Sequence, residues 1–193
     1  MCIRDRGFTN YSENLYLDYH YNKEAAADYV IGTRVSILND RPIIGPYDVN
    51  QAGSGDMYNK GGNMLHTIRN IIDNDEAWRA ILRGLNKEFY HQTVTTAQIE
   101  NYMIEKSGIN LQPVFDQYLR AKGIPRLVLE TDKKCLKYRF TEAIKGFEMP
   151  VKITVDGVET WITPTTTLQE QKFKNPIQKV IVDRNFYINL DIK

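Results

Sequence analysis

Cysteine is nearly absent: Cys2 and Cys135 are the only two in 193 residues, and they form no C-x-x-C pair, no metal-ligand spacing and no disulfide framework. A charge of one sign is also lacking. Lys and Arg number 25 against 24 for Asp and Glu, so no net field recruits nucleic acid or an anionic membrane surface. No apolar run approaches the roughly 20 residues needed to cross a bilayer, and the start has no apolar core of a signal peptide. The three histidines, His20, His66 and His91, lie far apart and make no H-x-x-x-H pair that would set two imidazoles on one helical face. There is no G-x-S-x-G elbow, and Gly53-Ser54-Gly55 lacks the Lys-Ser/Thr ending of a phosphate loop. These absences leave a soluble-looking segment with 42% hydrophobic residues, enough to bury a core as one domain or two small ones.

Up to about Gly123 the apolar residues recur at helical spacing. Tyr11, Leu15 and Tyr19 predict one helix face, and Ala26, Val30, Thr33 and Ile37 a second. Residues 39–55 hold Pro42, Gly45, Pro46, Gly53 and Gly55, which predicts a long loop. A helix is expected to restart after Asp56, with Met57, Gly61, Met64 or Leu65, Ile68 and Ile72 inward. Asp75 is expected to cap the next helix, which buries Trp78, Ile81 or Leu82, Leu85 and Phe89. Thr95 with Gln98 fits a capping box, and Gly108 is placed to end that helix. A last helix is expected from Asn110 to Gly123. After Pro125 the period becomes two: Leu136, Tyr138 and Phe140, then Val151, Ile153 and Val155. Asp156-Gly157 signals a tight hairpin returning through Val158, Thr160 and Ile162. Two further strands are expected around Ile177, Val180 and Val182, and around Phe186, Ile188 and Leu190. The fold class is therefore α+β, a helical part followed by a small β-sandwich or barrel.

One arrangement goes beyond composition. Gly7-Phe8-Thr9-Asn10-Tyr11-Ser12-Glu13 resembles the E-G-F-x-x-Y-x-E helix of the gluzincin zinc aminopeptidases, the family of aminopeptidase N and leukotriene-A hydrolase. Farther on, Tyr58-Asn59-Lys60-Gly61-Gly62-Asn63-Met64-Leu65 resembles that family's Y-x-K-G-x-x-x-L segment, in the same order and at a fitting separation. The resemblance implies the helical C-terminal half of a peptidase catalytic domain over residues 7–123 and a β-rich domain over 126–193; residues 1–6 read as a non-native leader. It implies zinc in a full-length parent acting on peptide substrates, with Tyr58 donating to the oxyanion as the peptide carbonyl becomes tetrahedral. Glu13 is then expected to make a structural hydrogen bond, Lys60 to fix a nearby carboxylate, and Gly61 to allow a close helix approach. Without the motif, Tyr58 would be one of 12 tyrosines packing a helix start.

The departures matter as much. The family's Glu zinc ligand immediately precedes Gly-Phe, and here Arg6 stands in that place. A guanidinium has no lone pair to give a metal. The H-E-x-x-H helix belongs upstream of this chain, so no cofactor is expected in the chain alone, and the missing N-terminal part of the same protein is its expected partner. The leader Met1-Cys2-Ile3-Arg4-Asp5-Arg6 has no helical period, joins abruptly to the matching segment and resembles adaptor sequence. The chain is thus read as an aminopeptidase fragment, inactive by itself, with apolar helix faces left exposed. The alternative is a non-catalytic binding or scaffold module derived from a peptidase. A third reading, a ligand-binding β domain, would show itself by an exposed Trp161 among other aromatics. The compartment stays open among periplasmic, secreted and membrane-associated.

Overall fold

The computed structural model describes residues 6–46 and 53–193, so the rest of the leader and part of the 39–55 loop lie outside the described residues. The chain folds as expected for an α+β protein. Helix α1 (Phe8–His20) is followed by α2 (Lys23–Gly32), started by the Asn22 side chain accepting from Ala25 N. The expected apolar faces are shorter than the spacing suggests. Tyr19 is 84% exposed, and α1 instead buries Tyr11 and Asn14. After α2 the chain tightens into a 3-10 turn at Thr33–Ser36, leaving Ile37 extended and half-buried. Helix α3 (Asn59–Ile72) is the central element, buried at every position from Lys60 to Arg69. Helix α4 (Asp75–Glu88) packs Trp78 and Ile81 inward, with Trp78 edge-on to Tyr11 at 6.0 Å.

Asn74, not Asp75, caps α4: its side chain accepts from Ala77 N at 3.0 Å. Asp75 is drawn away by cations, accepting from Arg69 at 2.9 Å and pairing with Lys23. Helix α5 (Thr96–Ser107) has the expected Thr95/Gln98 capping box and ends at Gly108, whose φ of 68° takes the left-handed conformation that suits glycine. The last helix is shorter than expected. It runs as α6 (Gln112–Phe115), widens into a π-helical turn at Asp116–Arg120 and stops with Ala121 extended.

Two sheets follow. Strands β1 (Arg126–Asp132), β2 (Cys135–Thr141), β5 (Gln169–Lys172) and β7 (Asn189–Ile192) form one sheet in the order β5-β2-β1-β7, with β7 parallel to β1. Strands β3 (Val151–Val155), β4 (Val158–Ile162) and β6 (Val180–Val182) form the other, β4-β3-β6. Alternation is strict where it is expected: Leu136, Tyr138 and Phe140 on β2 and Val151, Ile153 and Val155 on β3 are buried. The Asp156-Gly157 turn has φ of 49° and 86°, the positive pair of a type I′ hairpin. The last two strands start later than the sequence suggests, β6 at Val180 and β7 at Asn189. Strands β1 and β5 have no alternating signal of their own. β1 buries Leu127, Val128 and Leu129 consecutively, and β5 is a polar edge strand. One apolar core runs through both parts, joining Tyr11, Leu65 and Phe115 to Leu127, Phe140 and Ile153 through Tyr118, Ile124 and Tyr187.

Candidate functional site

The two motif segments approach where α1 and α3 begin, at Gly61 against Gly7 and Gly62 against Asn10, while Glu13 lies apart from Tyr58 and Lys60. Tyr58 closes the 3-10 turn Gly55–Met57 and opens α3, its carbonyl accepting from Gly62 N at 2.8 Å while its side chain stays 41% exposed. The loop before it is fixed by Asp56, a buried carboxylate that accepts from Leu38 N at 2.9 Å and Asn39 N at 2.6 Å. Arg6, just before α1, lays its guanidinium over the Tyr58 ring, 5.5 Å from the centroid. The approach of the two helices depends on Gly61. A Cβ there would stand 3.1 Å from Gly7 Cα, tighter than ordinary packing contact.

Glu13 lies about 10 Å farther along α1 from Arg6, by the rise of a helix. It accepts from the Tyr29 hydroxyl of α2, and that bond holds the Tyr29 phenol above its usual range. Lys60 does not meet a carboxylate, as the sequence suggests it should. It is fully buried, and its acceptors are the backbone carbonyls of Lys122 at 2.6 Å, Ala121 at 3.3 Å and Gly123 at 3.4 Å. Burial pushes its ammonium down to about 8, although Asp56 and Asp40 favour the charge.

A second polar layer on α3 goes beyond the motif positions. Asn63 donates to Val30 O, Thr33 Oγ1 and Asn59 O, each at 3.0 Å, and accepts from Arg34 Nε at 2.7 Å. Arg34 continues to Arg184 O at 2.9 Å, and Thr67 Oγ1 accepts from Tyr187 N at 3.0 Å, so the helix is stitched to the β part. The repeat Asn59, Asn63, Thr67 at one-turn spacing was the available signal, a polar stripe on a helix buried almost throughout. Beyond it His66, Arg69, Asn70 and Asn185 line a polar cleft of about 570 Å³. Burial pushes His66 down to about 4, opposed by its 2.9 Å bond to Asn185. Arg69 lies between Asp18 at 2.6 Å and Asp75 at 2.9 Å, and these partners outweigh its burial. Arg69 therefore enters the cleft already neutralised.

Trp161 on the edge strand β4 is 39% exposed, as the third reading expects, with Lys152 over its ring at 5.1 Å and Phe186 edge-on at 6.1 Å. Among the described residues no helix is long and apolar enough to cross a membrane.

The sequence matches no protein-family model and no curated protein. By structure the chain is similar to aminopeptidase A of Legionella pneumophila, solved in complex with aspartic acid, with a TM-score of 0.71 at 13% identity. The likeness covers 97% of this chain and 23% of that one, so the fold is shared with part of an aminopeptidase. The described residues that stand at the matching motif positions do not fit a zinc centre. Arg6 offers no lone pair, Glu13 is engaged by Tyr29, and among the described residues no group of three or more His, Cys, Asp or Glu is gathered.

Proposed function

We propose that this chain is the C-terminal part of a zinc aminopeptidase catalytic unit with its following β part, contributing Tyr58 as an oxyanion donor for hydrolysis of N-terminal residues from peptides. The observation that carries this reading is the position of Tyr58, exposed at the start of α3 beside the start of α1, within a fold shared over 97% of the chain with an aminopeptidase. A phenol suits the role because it stays protonated near neutral pH and donates to developing negative charge. Water activation is assigned to residues outside this chain, and zinc is proposed only for the longer protein.

One observation favours a second reading, a non-catalytic module derived from a peptidase: the Arg6 guanidinium stands over the Tyr58 ring at 5.5 Å. The coding sequence upstream of Gly7 separates the two. A continuous frame with Glu in place of Arg6 and an H-E-x-x-H motif before it supports the peptidase. An authentic start codon at Met1 leaves the binding module. In the longer enzyme, Tyr58→Phe is expected to lower kcat by about 10²- to 10³-fold, the range for removing one oxyanion donor, with KM little changed. Unaltered kcat in steady-state assays on an aminoacyl anilide would remove Tyr58 from the chemistry.

A further inference from the structure

Lys60 lies two residues beyond Tyr58, on the first turn of α3, and has no exposed surface. A buried ammonium is tolerated only when hydrogen-bonded. Here it meets three successive carbonyls, those of Ala121, Lys122 and Gly123, at 3.3, 2.6 and 3.4 Å. These residues follow the π-helical turn Asp116–Arg120, where Ala121 is already extended and the chain leaves the helices for β1. Gln117 braces the same corner, donating to Gly123 O at 3.2 Å and accepting from Ile144 N at 2.8 Å. From the opposite side, Gly61 and Gly62 bring the same turn of α3 against Gly7 and Asn10 at the start of α1. The first turn of α3 is thus held by the start of α1 and by the helix-to-sheet junction, and Tyr58 just before it stays 41% exposed with Arg6 over its ring.

We infer that Lys60 is a positioning residue: by clasping the carbonyls of residues 121–123, it locks the first turn of α3 to the helix-to-sheet junction and so sets where the Tyr58 phenol stands. Its functional weight rests on the role proposed for Tyr58, whereas the clasp itself does not.

The test uses the 193-residue chain. Lys60→Met keeps the stem and removes the donors. Two quantities are read: amide hydrogen exchange over 58–62 and 121–124, and the fluorine resonance of Tyr58 in 3-fluorotyrosine-labelled protein, identified with Tyr58→Phe. Exchange in both segments is expected to rise on the order of tenfold, as for a local opening, and the Tyr58 resonance to move, while β2 and β3 amides hold. Lys60→Gln, which keeps two N–H donors, is expected to fall between and serves where the methionine variant does not fold. A uniform rise in exchange along the chain with an unmoved Tyr58 resonance would overturn the proposal and reduce Lys60 to packing. Neither readout needs turnover. A clasp found in an enzyme indifferent to Tyr58→Phe would end the oxyanion role and leave the clasp standing.

Discussion

At the scale of residues, two buried bases make the protein's stability depend on pH. His66 is held down to about 4 by burial, against an ordinary 6.5. The unfolded chain therefore binds a proton that the folded one refuses, and stability present above pH 6.5 is lost as pH falls toward 4. The wild type is expected to lose up to about 3 kcal/mol relative to His66→Gln across that window, read by urea unfolding at pH 7 and 4.5. Lys60, held down to about 8 against 10.5, works in the same direction at higher pH. Between those values the folded form is neutral while the unfolded form keeps its proton, so stability rises with pH. Wild type is expected to gain on Lys60→Met by up to about 3 kcal/mol between pH 8 and 10.5. An equal slope in both proteins would show that Lys60 titrates normally. Tyr58, Glu13, Lys60 and Gly61 were singled out only through the resemblance of two short motifs. The partner of Lys60 was not, since its carbonyls lie 61 to 63 residues away and carry no side-chain signature.

At the scale of elements, the crossing of α1 and α3 turns on two adjacent glycines with different neighbours. A Cβ on Gly61 would press on backbone, Gly7 Cα at 3.1 Å, whereas on Gly62 it would meet the Asn10 side chain at 2.5 Å. Backbone cannot swing aside, and the half-buried amide of Asn10 can. Alanine gains about 1 kcal/mol in helix propensity over glycine, and overpacking costs about 1–3 kcal/mol. Gly61→Ala is therefore expected to be destabilising and Gly62→Ala near neutral, measured by thermal unfolding; the reverse order would contradict the packing described. Local chemistry explains which helix boundaries were readable. The Thr95/Gln98 box and the Gly108 stop involve neighbours within one turn, and both are found where expected. Thr95→Ala should cost about 1 kcal/mol. The start of α4 lies one residue from its expected place because Arg69 and Lys23 hold the Asp75 carboxylate, pulling it down to about 2 against its burial. Those cations come from other helices.

At the scale of the molecule, the helical and β parts share one core through Tyr118, Ile124 and Tyr187, and are tied by Arg34, Thr67 and Lys60. A single cooperative calorimetric transition is expected, since neither part covers its apolar face alone. Two resolved transitions would count against the shared core. The outer side of α1 is different: Tyr16 and Tyr19 are exposed, and a groove of about 420 Å³ runs past Phe8, Leu15, Leu82 and Leu85 with Thr9, Ser12 and Asn86 on its polar side. Concentration-dependent self-association is expected in sedimentation velocity. A monodisperse monomer at all concentrations would weigh against reading this as a face that another part of a longer protein covers.

The sequence by itself determined the helical segments, the switch from helical to alternating period after Pro125 and the hairpin at Asp156-Gly157, because each depends on residues within a turn or two of one another. Only the tertiary structure decided that β1 is buried on consecutive positions, that Lys60 binds carbonyls, that α3 carries a buried polar stripe and that the Arg6 guanidinium stands over the Tyr58 ring. Those outcomes depend on which surfaces meet across long separations, and periodicity carries no record of the partner.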